Sequence, residues 1–149
     1  MIQRIQTIFL ALAAGADLSV FGLPFATVPK KIAASDIFTN DLLYNLQDNV
    51  LLMVAYGLSG LLALVSIFLF KDRKKQMLAT KTALVMTVLS VILTASVLWQ
   101  DSATMGSSVT PDVTFGSITP FVGIILLILA NNFIKKDEKL VRSSYDRLR

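Results

Sequence analysis

Apolar residues fall into four long runs along the chain, and polar residues are concentrated between them. The runs cover about residues 5–25, 50–70, 79–99 and 118–134. Each is close to the roughly 17–25 residues that an α-helix needs to cross the hydrocarbon core of a bilayer. The second run contains no charged residue. A soluble core does not need runs of this length, so the pattern predicts four transmembrane helices.

The connections between the runs differ in length and set the predicted topology. A short basic turn, residues 71–78, makes the second and third helices antiparallel neighbours. Two longer polar loops, 26–49 and 100–117, lie together on the opposite side of the bundle. We therefore expect a single all-α membrane domain over residues 1–149, a four-transmembrane-helix bundle with up-down-up-down topology. Residues 135–149 are expected to form a short cytoplasmic amphipathic helix after the last span.

The first long loop has an apolar pattern of its own. Leu42, Leu43 and Leu46 suit one face of a helix, and Asn40 is a suitable residue for its N-cap. The pattern predicts either a helix lying at the membrane surface or an extension of the second span.

Small residues recur at four-residue spacing in three of the apolar runs, which places them on one face of each helix. Such stripes let helix backbones approach closely and let hydroxyl groups bond across the interface. We expect them to mark the seams of the bundle rather than a substrate path. The stripes are Ala11, Gly15 and Ser19; Ala55, Ser59 and Ala63; Ala83 and Thr87; and Ser90 and Thr94.

Lys and Arg residues are strongly biased to one side of the predicted bundle. The side that holds both termini and the short turn has twelve of the 14, and the long loops have only Lys30 and Lys31. Basic residues next to spans stay in the cytoplasm, so the bias predicts that both termini are cytoplasmic. The twelve are Arg4, Lys71, Arg73, Lys74, Lys75, Lys81, Lys135, Lys136, Lys139, Arg142, Arg147 and Arg149.

The composition of the chain excludes several kinds of chemical site. More than half of the residues are hydrophobic, only 16% are charged, and the mean hydropathy is +0.68. The chain has no cysteine and no histidine, which excludes a disulfide, a thiol redox site and an imidazole proton shuttle or metal ligand. We expect no enzyme activity, no cofactor and no metal. The pI of about 9.5 does not indicate nucleic-acid binding, because the basic residues flank the apolar runs and orient helices instead.

The N-terminal run permits a second interpretation. Arg4, the short apolar run that follows it and the small residues Ala14-Gly15-Ala16 resemble a cleaved signal peptide. Apolar character resumes immediately at Leu18, and the basic region before the run is weak. We therefore expect residues 1–16 to be retained as part of the first span.

Asp17 is the one acidic residue inside a predicted span. An ionised carboxylate at that depth costs several kcal/mol unless it faces water or a partner. One hypothesis is a proton- or cation-coupled site. The alternatives, which we favour, are that Gly15, Gly22 and Pro24 loosen the helix so that Asp17 reaches an outer polar crevice, or that it hydrogen-bonds a Ser or Thr of a neighbouring helix.

The C-terminal tail is amphipathic. Its apolar residues share one helical face, and its basic residues suit anionic lipid headgroups or a cytoplasmic protein. Docking of the tail onto the basic turn at residues 71–75 is disfavoured by charge repulsion. The candidate contacts are Lys139, Leu140, Val141, Arg142 and Arg147.

Both ends of the chain resemble a known bacterial family. The resemblance is carried by Met-Ile-Gln-Arg-Ile-Gln-Thr at residues 1–7, Asp-Glu-Lys-Leu-Val-Arg-Ser at 137–143 and Asp-Arg-Leu-Arg at 146–149. The family is an uncharacterised domain-of-unknown-function family of small four-helix integral membrane proteins. The resemblance implies four spans and a place in the bacterial cytoplasmic (inner) membrane. It supplies no activity, ligand or catalytic residue.

Two classes of function follow from these observations. The leading hypothesis is a non-enzymatic subunit or scaffold that contacts the lipid bilayer and a membrane or cytoplasmic protein, or a second copy of the chain. The alternative is a small proton- or cation-coupled transporter that uses Asp17. Small multidrug exporters also have four helices and a carboxylate in the first, but the long outer loops and the charge bias of this chain differ from theirs.

Overall fold

The computed structural model describes residues 2–30, 35, 37–38, 41–104 and 110–146, and it is a four-helix bundle. The helices form a ring in which α1 contacts α2 and α4, and α3 contacts the same two. Neighbouring helices are antiparallel, as one contact at each end of the α1–α4 pair shows. Gln6 Nε2 donates to Phe133 O (3.2 Å), while Thr114 N donates to Phe25 O (3.0 Å). The predicted all-α bundle is therefore confirmed. The helices are α1, Ile2–Ser19; α2, Val50–Phe68; α3, Arg73–Thr104; and α4, Phe115–Asp146.

Within the residues that the structure describes, three helical segments are long and apolar enough to cross a membrane: Val50–Lys71, Arg73–Ala103 and Phe115–Val141. The first predicted span, residues 5–25, is not one continuous helix, because α1 ends at Ser19 and its apolar part, Ile5–Ser19, is shorter than the other three. Gly22 and Pro24 explain the early end. Glycine weakens a helix, and proline offers no N–H to continue one.

The basic turn does not extend over the predicted residues 71–78. A 3-10 helix, Leu69–Lys71, closes the turn and α3 already begins at Arg73. Asp72 supports this start, because its Oδ1 atom accepts a hydrogen bond from the backbone N–H of Lys75 (3.2 Å). A short polar side chain of this kind satisfies a backbone donor that the first turn of a helix leaves unpaired.

The helix predicted after residue 134 is present as far as Asp146, and it is the direct continuation of the last predicted span. α4 continues without a break from Phe115 to Asp146. The residues after Ile134 are mainly good helix formers, with neither glycine nor proline among them, so nothing interrupts the ladder of hydrogen bonds. Pro120 lies inside α4 and leaves Gly116 O without its helical donor, and the hydroxyl group of Thr119 donates to that oxygen (3.2 Å).

A three-stranded sheet, which the sequence pattern did not predict, joins the long loops. The strands are β1, Ala26–Thr27; β2, Leu43–Tyr44; and β3, Asp112–Val113. β1 lies in the centre and pairs antiparallel with both others. We call this side of the bundle the strand end. The opposite side, with the turn at Leu69–Lys71 and residues 135–146, is the basic end.

The predicted helix containing Leu42, Leu43 and Leu46 is wrong. Leu43 lies in β2, and Leu46 begins a 3-10 helix, Leu46–Asp48. Asp48 Oδ2 accepts from Asn45 N (2.6 Å) and holds that short turn in place of a longer helix. The actual N-cap of α2 is Asn49, whose Oδ1 atom accepts from Leu51 N (2.9 Å). Asn40, the predicted cap, lies outside the described residues.

Many large apolar side chains lie on the outside of the bundle, and small or polar residues are buried where the helices meet. Leu61, Val85 and Ile125 are about half exposed, whereas Ala63, Thr87 and other small residues at the helix seams are buried. The predicted seams of α2 and α3 are confirmed by this burial. The stripe of α1 is different, because Ala11 and Gly15 are exposed and the buried face of α1 instead holds Gln6, Leu10, Ala13, Ala14 and Asp17.

Gly116 is the position where a close backbone approach fixes the fold. A Cβ atom there would lie against Pro24 O and only 2.7 Å from Leu23 O. These are backbone atoms that cannot rotate away. We expect Gly116→Ala to lower the free energy of unfolding in detergent by about 1–3 kcal/mol, as overpacking does.

Gly15→Ala is the matched control, since nothing lies within 4 Å of its added methyl group. Alanine favours a helix over glycine by about 1 kcal/mol, so this variant should be as stable as the wild type or more stable. Thermal unfolding followed by circular dichroism checks both. Equal stability of the two variants would contradict the close approach of α4 to residues 23–24.

Candidate functional site around Asp17

Asp17 lies in the last turn of α1, level with the middle of α2. Gln6, Leu10, Ala13 and Asp17 share one face of α1 because they are spaced four, three and four residues apart. All four are buried, and Asp17 is 0% exposed. The first helix therefore carries a carboxyl group into the centre of the bundle.

Two hydroxyl groups from different helices donate to the same oxygen atom of Asp17. Ser59 Oγ of α2 and Thr87 Oγ1 of α3 each lie 2.8 Å from Asp17 Oδ2. Each hydroxyl also has a backbone carbonyl within reach on its own helix. Ser59 Oγ is 3.1 Å from Tyr56 O, and Thr87 Oγ1 is 3.0 Å from Ala83 O. Since a hydroxyl has a single proton, it can donate to only one of these two acceptors at a time.

The second oxygen of the carboxyl group faces the fourth helix. Asp17 Oδ1 is buried and has no hydrogen-bond partner among the described residues. A Cβ atom at Gly123 of α4 would lie 2.6 Å from it, so only glycine leaves room for the carboxyl group there. All three other helices thus meet α1 at Asp17.

No basic side chain pairs with Asp17 within the described part of the chain. The ion pairs found there are Arg73–Asp137 and Lys75–Asp72, both at the basic end. Nor do the described residues contain a group of three or more side chains suited to a metal ion. Of the two structural alternatives for Asp17, the hydrogen bonds to Ser and Thr are present. The outer crevice is not, because the residue is fully buried.

The site separates two apolar clusters of the core. One lies toward the strand end and includes Phe25, Tyr44 and Tyr56; the other lies toward the basic end and includes Leu10 and Leu127. The polar group of Asp17, Ser59 and Thr87 thus lies between the two apolar clusters. Within α2 and α3, Ser59 and Thr87 were predicted only as seam residues, and the tertiary structure brings them to the carboxyl group.

A second set of hydroxyl groups lies between Asp17 and the strand end. Tyr56 Oη and Thr94 Oγ1 are 3.3 Å apart and buried. They border a cavity of about 170 Å³, which is also lined by Phe25, Ser117 and Phe121. Sequence reasoning missed this cavity, since its walls come from three helices and from the segment before β1.

The strand end contains buried polar residues that sequence analysis had assigned to exposed loops. Ser35 Oγ donates to Asp101 Oδ2 (2.6 Å) and accepts from Phe38 N (2.8 Å). Burial also raises the pKa of Tyr44, and the nearby Tyr56, Asp48 and Asp101 act in the same direction. These contacts fasten the first long loop to the end of α3.

The basic end brings the tail and the turn together. Arg73 Nε lies 3.1 Å from Asp137 Oδ2, an ion pair that joins the start of α3 to α4. The expectation that repulsion keeps the tail from the turn is therefore wrong, because an acidic residue of the tail makes the contact. At the turn itself, hydrogen bonds and charge from Lys75 lower the pKa of the exposed Asp72.

The candidate contacts of the tail are only partly described. Lys139 and Leu140 are exposed on α4, and Val141 is half-buried. Arg142 belongs to the helix, but its side chain lies outside the description, and Arg147 lies outside the described residues altogether. The structure thus places these residues along one helix without assigning them a partner.

Comparison with known proteins supports the resemblance seen at the two ends. The model of the family described as Domain of unknown function (DUF4293) matches residues 2–148. The chain belongs to this family. Its match covers the whole bundle, including Asp17 and the continuous α4. No curated protein and no solved structure matches the chain.

A substitution of Thr87 tests the hydrogen bonds at this site. In a double-mutant cycle, we expect Thr87→Val to destabilise the wild type by about 1 kcal/mol and to destabilise an Asp17→Ala background less, because its acceptor is then missing. Thr80→Val is the control, since Thr80 is equally buried on α3 and donates to Gln76 O (2.9 Å) instead. Unfolding measurements in detergent give the coupling energies of Thr87 and of Thr80 to residue 17. Equal coupling of Thr80 and Thr87 to residue 17 would contradict the hydrogen bond.

Proposed function

We propose that the chain is a multi-pass protein of the bacterial cytoplasmic membrane with both termini in the cytoplasm. Three helices of spanning length, their apolar outer surfaces and the concentration of Lys and Arg at the basic end support this orientation. α1 has 18 residues and a length of about 27 Å, slightly less than the roughly 30 Å of hydrocarbon. We infer that residues 20–25, of which Val20 and Phe25 are buried, complete the crossing.

In this membrane, the proposed role is that of a non-enzymatic subunit or scaffold. The observation that carries it is the unbroken continuation of α4 beyond the membrane-spanning part. Residues 135–146 extend the helix by about 18 Å, and the Arg73–Asp137 ion pair holds the base of this extension against α3. A stiff, charged extension of this kind suits docking better than transport or catalysis.

The surface of the extension defines its expected partners. Lys135, Lys136 and Lys139 are exposed together with Leu140, which is 48% exposed. Lysine residues beside an apolar side chain suit the anionic inner leaflet and also an acidic surface of a protein. The partner of the proposed assembly is a membrane or cytoplasmic protein or a second copy of the chain, with the lipid headgroups as an additional contact.

Removal of residues 139–149 tests the role in an assembly. A chain that ends at Glu138 keeps Asp137 and its ion pair with Arg73, so the bundle should fold normally. We expect a stoichiometric partner to co-purify with the full chain in mild detergent and to be reduced at least tenfold with the shortened one. Asp112→Asn, an exposed position in β3, should retain the partner. The absence of any partner in all preparations would contradict the proposal.

The second candidate is a small proton- or cation-coupled transporter, and the burial of Asp17 at the meeting point of the four helices favours it. This candidate predicts that Asp17→Asn abolishes transport, or the stress resistance that depends on it, while abundance and helical content are unchanged. Asp112→Asn again provides the control. Full resistance and transport with Asp17→Asn would exclude a transporter that uses this carboxyl group.

A further inference from the structure

The surroundings of Asp17 fit a proton rather than a metal ion. Ser59 Oγ and Thr87 Oγ1 lie at hydrogen-bond distance from the carboxyl group, 2.8 Å each. Hard cations such as Ca²⁺ need about 6–8 oxygen ligands at about 2.3–2.6 Å. Here Asp17 Oδ1 instead faces Gly123.

We propose that Asp17, Ser59 and Thr87 form a proton-binding site at the centre of the bundle, with Asp17 carrying the proton. An ionised carboxylate without a cation is costly in an apolar interior, whereas a neutral carboxyl group is not. The proposal rests on the geometry of the carboxyl group and does not require the docking role. It deepens the second candidate function by naming the proton as the ion that the site binds.

The two hydroxyl groups let the site bind and release a proton without a change in the backbone. When Asp17 is ionised, Ser59 and Thr87 both donate to Oδ2. When a proton binds to the carboxyl group, Asp17 donates to one hydroxyl oxygen. That hydroxyl then turns its own proton to the carbonyl of its helix, Tyr56 O at 3.1 Å or Ala83 O at 3.0 Å. Hydrogen bonds are therefore made in both states.

The groups that face Asp17 are weaker acids or do not titrate, so Asp17 is the acid of this site. α2 contributes Ser59 and the phenol of Tyr56, which titrates far above neutral pH in water. α3 turns Thr87 to the site, while Lys81 of the same helix is exposed. α4 presents Gly123, flanked on its buried face by Pro120 and Leu127, which do not titrate.

A cavity lies about one helical turn from the site, toward the strand end. Tyr56 lies three residues before Ser59 on α2 and borders this cavity of about 170 Å³ together with Thr94 and Ser117. The hydroxyl groups of these three residues are its polar groups, and the rest of its lining is apolar. Asp17 does not line this cavity.

Infrared spectroscopy of the full chain in lipid nanodiscs tests the site. At neutral pH, the wild type should show the C=O stretch of a protonated carboxyl group, shifted in deuterium oxide. Asp17→Asn should lose this band, and Asp112→Asn should keep it. Thr87→Val should change its frequency because one hydrogen bond is lost, whereas Thr80→Val should not. This second pair of variants provides the test if Asp17→Asn does not fold.

Results of three kinds, on the wild type, on the variants and on the salt, would overturn the proposal. One is the absence of the band from the wild type between mildly acidic and mildly alkaline pH. Another is its persistence in Asp17→Asn, or an equal response to Thr80→Val and Thr87→Val. The third is loss of the band when sodium chloride replaces choline chloride at equal pH and ionic strength, which would assign the site to a metal ion. Loss of the partner in the co-purification experiment leaves this spectrum unchanged, so the two proposals fail separately.

Discussion

Hydrogen bonding inside an apolar bundle constrains the whole molecule, and it converges on the carboxyl group of Asp17. In surroundings without water, each buried polar group needs a partner from the protein. Ser59 and Thr87 supply partners for one carboxyl oxygen from two different helices. Gly123 makes room for the other oxygen on the third. Asp17 therefore constrains all three neighbouring helices, because a shift of α2 or α3 would break one of its hydrogen bonds and a shift of α4 toward it would bring the backbone into collision with the carboxyl group.

The same requirement explains the strand end. α1 stops at Ser19, so the next residues must satisfy their backbone groups without a helix. The small sheet does this: Phe25 N donates to Tyr44 O (2.7 Å), and Phe25 O accepts from Thr114 N (3.0 Å). Two long loops that look independent in sequence are thereby tied to one short central strand. The cavity beside Tyr56 lies directly beneath this sheet, between the cap of the bundle and the polar group at its centre.

At the basic end, charge and helix continuity work together. α4 continues from its apolar part into residues 135–146 as one helix, and the Arg73–Asp137 pair connects this extension to α3. A pair between partly exposed side chains adds little stability. The pair instead sets where the extension leaves the bundle, because it holds the base of the extension beside α3. α4 therefore carries the proposed docking surface at Lys139 and also borders the proposed proton site, where Gly123 lies beside Asp17.

The sequence alone determined the number and order of the helices, since long apolar runs and their polar connections depend only on local composition. It also pointed to Asp17, because an acid within an apolar run is conspicuous, and to the seams of α2 and α3. It could not determine that α1 turns its Asp17 face inward and its Ala11–Gly15 face outward, because small residues suit either environment. Nor could it bring Ser59 and Thr87 to the same carboxyl oxygen of Asp17, find the strands in the loops, or join Asp137 to Arg73. These features depend on contacts between residues far apart in the chain, and only the packing of the four helices brings them together.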